Sequence, residues 1–230
     1  MIVVIEGSDA SGKATQSKLL AERLKATRFA FPNYESPSGK AILGNLKKDW
    51  GAVERVDPNV YFKQHGRLPP VVQQDAPKLN ALVLQSLMTT NRLELLPAIK
   101  AAAEKGPVVF DRYWQSAMVY GTLDGLDPKW LDLVQRQAMP PADLNILIDV
   151  PVEEGFKRRP ERKDRYESDR GYMEKVREGY LKLWGFGPDQ TWTESIESLG
   201  RADKPCWYVV NGVGTVEEVQ RRIWRWCGSV

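Results

Sequence analysis

Ile2 to Ile5 is an apolar, β-branched run of strand length. It stops at a glycine-bearing turn, after which Leu19, Leu20 and Leu24 recur at helical spacing across Lys13 to Ala26. A strand, a turn and a helix are therefore expected in immediate succession. Arg28 to Phe31 predicts a second strand, stopped by Pro32 and Asn33, and Ser36-Pro37-Ser38-Gly39-Lys40 places a hydroxyl cap ahead of the helical positions Ala41, Ile42 and Leu46. Between Asp49 and Pro77 no period holds and no element is assigned. From Lys78 the helical spacing returns through Leu79, Leu82, Val83, Leu87 and Met88 to Leu95, Leu96 and Ile99, with Pro97 either opening a second helix or kinking the first. Val108 to Asp111, Leu144 to Val150 and Cys206 to Val210 read as three further strands. Pro151-Val152-Glu153-Glu154 opens one helix, Thr215 to Trp226 forms a closing amphipathic helix, and Gly185 to Pro205 reads as loop. Strands alternating with helices predict an α/β fold of three layers around a five-stranded, mostly parallel sheet.

Composition narrows the function classes. The 230 residues suit a single α/β domain, and 33 basic against 30 acidic side chains give a net charge of +3. That balance suits phosphorylated small molecules and gives no reason to expect nucleic-acid binding. Cys206 and Cys227 are too few for a disulfide framework and have no metal-ligand spacing. No apolar run approaches the roughly 18 residues a membrane span needs, and the N-terminus leads straight into a strand, so a cytoplasmic protein is expected. The sole histidine, His65, reads as a solvated loop residue.

The chemistry concentrates at the first turn. Gly7 and Gly12 frame four residues and Lys13 follows, so that backbone N–H groups and a helix N-terminus converge on phosphates while the ammonium reaches the outer ones. This is the P-loop pattern, with Gly7, Ser8, Ala10, Ser11, Gly12, Lys13, Ala14 and Thr15 cradling the phosphates of a nucleotide; the bland alternative is a plain glycine turn. The hydroxyl that the pattern places after the lysine as a magnesium ligand is replaced by Ala14, with Thr15 one residue late. Asp111 and Arg112 end a strand, the edge where open parallel sheets bind ligands, or else form a surface ion pair. Lys157, Arg158, Arg159, Arg162, Lys163 and Arg165 form the densest basic cluster. A solvated face and an arginine-bearing lid over a transferring phosphoryl group both fit it.

Together these segments resemble the thymidylate kinase family. The resemblance rests on Gly7 to Gln16, on Phe31-Pro32-Asn33-Tyr34 with Ser38-Gly39-Lys40, and on Asn91-Arg92. It extends to Asp111-Arg112-Tyr113 with Ser116 and Tyr120-Gly121, to Asp143 to Val150, and to Asp164-Arg165-Tyr166-Glu167. It implies a P-loop nucleoside monophosphate kinase fold and transfer of the γ-phosphoryl group of ATP to dTMP with Mg2+. By the same resemblance Asp9 lies near the acceptor and the metal, Asp111 orders the magnesium shell or Lys13, and Arg112 and Tyr34 hold the acceptor phosphate. Arg92 donates to thymine O4, Tyr120 sits beneath the deoxyribose, Ser116 belongs to the substrate site, and Glu167 closes over the sugar or metal from the lid at residues 157–168. Because the loop carries no arginine, the resemblance assigns the catalytic cation to Arg159 and Arg162, with Arg158 and Arg165 behind them. A homodimer through a helical face is also implied. The family stacks a phenylalanine on thymine where Met88 stands here, and methionine covers a ring more softly. Met88 and Ala117 keep open a kinase of altered base specificity, and Ala14 a nucleotide-binding regulatory protein without catalysis.

Overall fold

Three of the five apolar runs are buried along their whole length, which only a sheet covered on both faces can accommodate. They are β1 (Ile2–Glu6), β3 (Val108–Asp111) and β4 (Leu144–Asp149), and they form the middle of the sheet. β2 (Thr27–Ala30) and β5 (Cys206–Asn211) close its edges in the order β2-β3-β1-β4-β5. Every pairing is parallel, with Val3 registered on Val109 at one side and on Leu144 at the other. The fold is taken from a computed structural model that describes residues 1–47, 76–136, 139–159, 169–183, 185 and 206–227. His65, Trp184, Trp192, Arg162, Arg165, Glu167 and nearly all of the segments 49–77 and 185–205 lie outside the described residues.

Two helical layers cover the sheet. On one face α1 (Lys13–Leu24) and the last helix, α8 (Val216–Cys227), pack Leu20, Val219 and Ile223 onto Val3, Ile5, Ile146 and Ile148. On the other, Ile99 of α3 (Ala76–Lys105) meets Val4, Phe110 and Tyr113, and Val119 of α4 (Trp114–Leu123) meets Leu147 together with Val176 and Tyr180 of α7 (Arg170–Leu183). Two further helices brace α3: α2 (Pro37–Lys47) through Ile42, Leu46 and Leu84, and α5 (Pro128–Arg136) through Leu131 against Ala81. α6 (Val152–Arg158) follows β4 directly. Truncating a fully buried side chain such as Ile146 to Ala would cost about 2–5 kcal/mol.

The expected strands and the opening helix all form, and Pro97 lies inside one continuous α3. α4, α5 and α7 were not expected from the apolar spacing. The described tryptophans near the C-terminal end pack as structural groups: Trp207 meets Trp114 edge-on at 6.1 Å, Trp226 stacks on Tyr208 at 3.9 Å, and Arg23 lies 3.5 Å over the ring of Trp224.

Candidate active site

Where β1 ends, the chain must turn sharply into α1 with almost no room for side chains. A Cβ at Gly7 would lie 2.6 Å from Ser11 Oγ and 2.7 Å from the Ile148 carbonyl, so only glycine fits. Ala10 and Gly12 take left-handed φ values of 63° and 91°, which curl the backbone into a concavity of N–H groups. α1 starts at Gly12 with no side-chain cap, leaving its first N–H groups to an anion. Ser11 Oγ is buried without a hydrogen-bond partner. Lys13 folds back over the loop, donating to the Ser8 carbonyl at 2.9 Å and to Asp9 Oδ1 at 3.4 Å. Burial and the nearby Arg112 charge push the Lys13 ammonium below its ordinary value.

β1 and β3 bring Asp9 and Arg112 together. Arg112 Nη2 contacts Asp9 Oδ1, while Nη1 donates to Ser116 Oγ at 3.1 Å, to Tyr180 OH at 3.1 Å and to the Gly7 carbonyl at 3.4 Å. Tyr120 OH donates to Asp9 Oδ2 at 3.1 Å. Burial alone would raise the Asp9 carboxyl, but Arg112 and Lys13 outweigh it and hold the group well below the usual carboxylate range. Beneath them lies a fully buried Glu6, which accepts from Tyr113 N at 2.8 Å, Ser116 Oγ at 2.8 Å and Tyr180 OH at 3.1 Å. Burial raises its pKa against the pull of Arg112. Glu6 and Tyr180 escaped the sequence reading. Glu6 carried a signal, a charged side chain ending a buried strand; Tyr180, 174 residues away from it, carried none.

Asp111 faces elsewhere. Its Oδ2 receives Arg28 Nη2 at 2.5 Å, and Arg28 Nε donates to Ser17 Oγ at 2.9 Å, so this carboxylate ties β2 and β3 to α1. Asp9 and Asp111 are thus both engaged by cations, and among the described residues no group of three His, Cys, Asp or Glu side chains could hold a metal.

Beside Arg112 opens a cavity of about 150 Å³, bounded by Asp9, Phe31, Tyr34, Met88, Arg92, Ala117 and Tyr120 among others. Asn91 fixes one rim. Its carboxamide accepts from Asn33 N at 2.7 Å and donates to Asn33 O, Ser36 Oγ and Ser38 Oγ, which holds the loop bearing Tyr34 against α3. Arg92 is 3% exposed, yet its Nε and Nη2 have no hydrogen-bond partner. Burial pushes its pKa down to about 10. A buried cation with idle donors at a cavity wall is half of an interaction that a ligand completes.

Of the basic cluster, Arg158 reaches the P-loop side: it donates to Gly212 O at 2.9 Å and Glu154 Oε1 at 3.1 Å, with Ser11 O at 3.5 Å. Arg159 follows it at the C-terminus of α6. The structure therefore gathers Gly7 to Thr15, Asp9, Arg112, Ser116, Tyr120, Tyr34, Met88 and Arg92 around one crevice at the C-terminal edge of the sheet, with Asp111 directed to its far side.

A five-stranded parallel sheet with a P-loop after its first strand, and a cavity beside the arginine that ends the adjoining strand, defines a P-loop phosphotransferase of the nucleoside monophosphate kinase type. The family model described as thymidylate kinase matches residues 71–199. Relatives described as probable thymidylate kinases include one from Thermococcus kodakarensis, 31% identical over 203 residues, 86% of this chain and 91% of that one. Another, from Methanocaldococcus jannaschii, is 29% identical over 202 residues with the same coverage. The solved thymidylate kinase of Candida albicans superposes with a TM-score of 0.68 at 22% identity, over 99% of this chain and 91% of that one. The chain belongs to the thymidylate kinase family.

Proposed function

We propose that the protein transfers the γ-phosphoryl group of ATP to dTMP, giving dTDP and ADP. The observation that carries this reading is the pairing, in one cavity, of Arg112 at the P-loop end with the idle guanidinium of Arg92 at the other. A nucleoside monophosphate needs both: a cation for its phosphate next to the donor, and donors for a keto oxygen on its base. Phosphoryl transfer is largely positioning plus neutralisation of charge. The loop amides and Lys13 hold the β- and γ-phosphates, and Arg112 draws the acceptor phosphate beside them. The Glu6, Ser116 and Tyr180 set fixes the guanidinium. Tyr34, 40% exposed, supports the acceptor phosphate at the mouth, and Tyr120, bonded to Asp9, forms the floor under the sugar.

The side chains present fit a magnesium ion carried in on the nucleotide. Such an ion keeps waters and phosphate oxygens and needs one or two carboxylates at most; Asp9 would supply one at the loop without a ligand from position 14, whereas Asp111, expected to share that role, is held by Arg28 on the far side. When bound, it neutralises charge on the phosphates. The kinase reading treats residues 1–230 as one domain in the cytoplasm, with Arg159 and Arg162 acting from a lid at 157–168. It includes a homodimer, supported by Leu79, Leu82, Val83 and Leu93, which stand exposed on one face of α3. No helix among the described residues is long and apolar enough to cross a membrane.

The test is a coupled assay with ATP and magnesium against dTMP, dUMP, dCMP and dGMP. Turnover of dTMP, with dUMP slower, is expected. Turnover centred on dCMP or dGMP would refute the base assignment, and ATP binding with no turnover of any would refute the kinase reading.

A further inference from the structure

Gln85 precedes Arg92 by two turns of α3 with Met88 between them, and all three line the cavity. It is 2% exposed, and its Oε1 has no hydrogen-bond partner. Its main chain is pinned: the carbonyl accepts from Gln135 Nε2 at 3.1 Å and from Thr89 Oγ1 at 2.9 Å. Its stem is confined too, since a Cβ built on Gly121 of α4 would lie 3.3 Å from Gln85 Cγ. The cavity wall therefore carries two orphans two turns apart on one helix, a guanidinium with donors only and a carboxamide with an idle acceptor. Ala117, on the wall formed by α4, adds no polar atom.

The complement of that pair is a ligand edge with an acceptor next to a donor. The imide edge of thymine has this pattern, O4 followed by N3–H. Cytosine reverses it, placing an amino group against Arg92, which has nothing to accept with. Resting on the dTMP reading above, we propose that Gln85 reads the N3–H of the base, its Oε1 accepting while Arg92 donates to O4. A half-turn about χ3 interchanges the two ends of a carboxamide, and N3–H selects the oxygen. Gln85 thereby supplies the acceptor that Arg92 cannot, and the two together select, among the pyrimidines, the keto-imide edge over that of cytosine.

The test compares dTMP with N3-methyl-dTMP in steady-state assays of the full-length protein and of Gln85→Met and Gln85→Ala. Gln85→Met keeps the volume and removes the acceptor; kcat/KM for dTMP is expected to fall about 10- to 100-fold, mainly through KM, with KM for ATP and the melting temperature unchanged. N3-methylation is expected to reduce wild-type kcat/KM by roughly 100-fold and to cost Gln85→Ala less than about threefold. Equal methylation penalties in the two proteins, or wild-type turnover of the methylated substrate within threefold of dTMP, would overturn the role of Gln85 and leave the kinase reading standing. The methylated substrate tests the wild type even if a variant fails to fold. Absence of any dTMP turnover by the wild type would instead refute the reading on which the proposal rests.

Discussion

Arg112 and Asp9 meet across the P-loop, with one end of the guanidinium on the carboxylate and the other shared by Ser116, Tyr180 and the Gly7 carbonyl. The pair links the donor loop to the acceptor cavity, and Arg112 itself sits in the left-handed region at φ 64°, where it can reach both. Arg112→Ala is expected to lower kcat/KM for dTMP by roughly 10²- to 10³-fold while ATP affinity changes only a few-fold. Steady-state kinetics alongside direct nucleotide binding decide it. Loss of ATP binding in step with turnover would make Arg112 a support of the loop alone.

The Asp9 carboxyl is held below its ordinary value of 3.8, so its ionised form stabilises the fold at every pH above that value. The contribution is lost as the pH falls from 3.8 through the lower folded value. Asp9→Asn is therefore expected to be less stable than wild type at pH 7, with the gap narrowing below pH 3.8 by up to about 1.4 kcal/mol per unit. Urea midpoints of both proteins between pH 7 and pH 3 measure this. A gap that stays constant across the range would contradict the depressed pKa.

Strands were legible because a fully buried parallel strand is an uninterrupted apolar run, and the P-loop because its glycines are dictated by contacts within a few residues. α4 was not legible: its residues Gln115, Ala117, Val119 and Gly121 are all buried, so no polar stripe alternates with an apolar one. The site shows the same division. Asp9, Lys13 and Arg112 stand in short motifs, whereas the Glu6, Ser116 and Tyr180 set joins positions 110 and 174 residues apart, which no local pattern records. Asp111 was legible as an acid at a strand end, but its partner Arg28 decides its direction and lies 83 residues away.

Lys13 is buried beside Arg112 with its ammonium pushed down from the ordinary 10.5. Phosphates bound in the loop would place negative charge against it and push the pKa back up. ATP binding in the alkaline range is therefore expected to take up a proton, and ATP affinity to weaken as the pH rises toward 10.5. Calorimetry in two buffers of different ionisation enthalpy reads the uptake directly. Lys13→Arg should abolish it, because arginine stays charged throughout; uptake of equal size in that variant would place the titrating group elsewhere.

The homodimer reading makes a demand on the outer face of α3. Leu79, Leu82, Val83 and Leu93 fall on one side of the helix, each at least 36% exposed, while Ala81, Leu84 and Ile99 on the other side are buried against the rest of the chain. A row of large apolar side chains left in water is unusual for a monomer and suits a self-complementary helix pair, in which the same residues from two copies interdigitate. A charge placed in the centre of such a face would have to be buried unpaired. Leu82→Glu is therefore expected to shift the protein from dimer to the 26.1 kDa monomer in sedimentation at micromolar concentration, while Leu93→Glu, about three turns further along, weakens the dimer less. Both variants should keep the melting behaviour of a folded chain, since neither side chain contributes to the core. A wild type that sediments as a monomer, or a Leu82→Glu protein that remains dimeric, would remove this face from consideration as the interface.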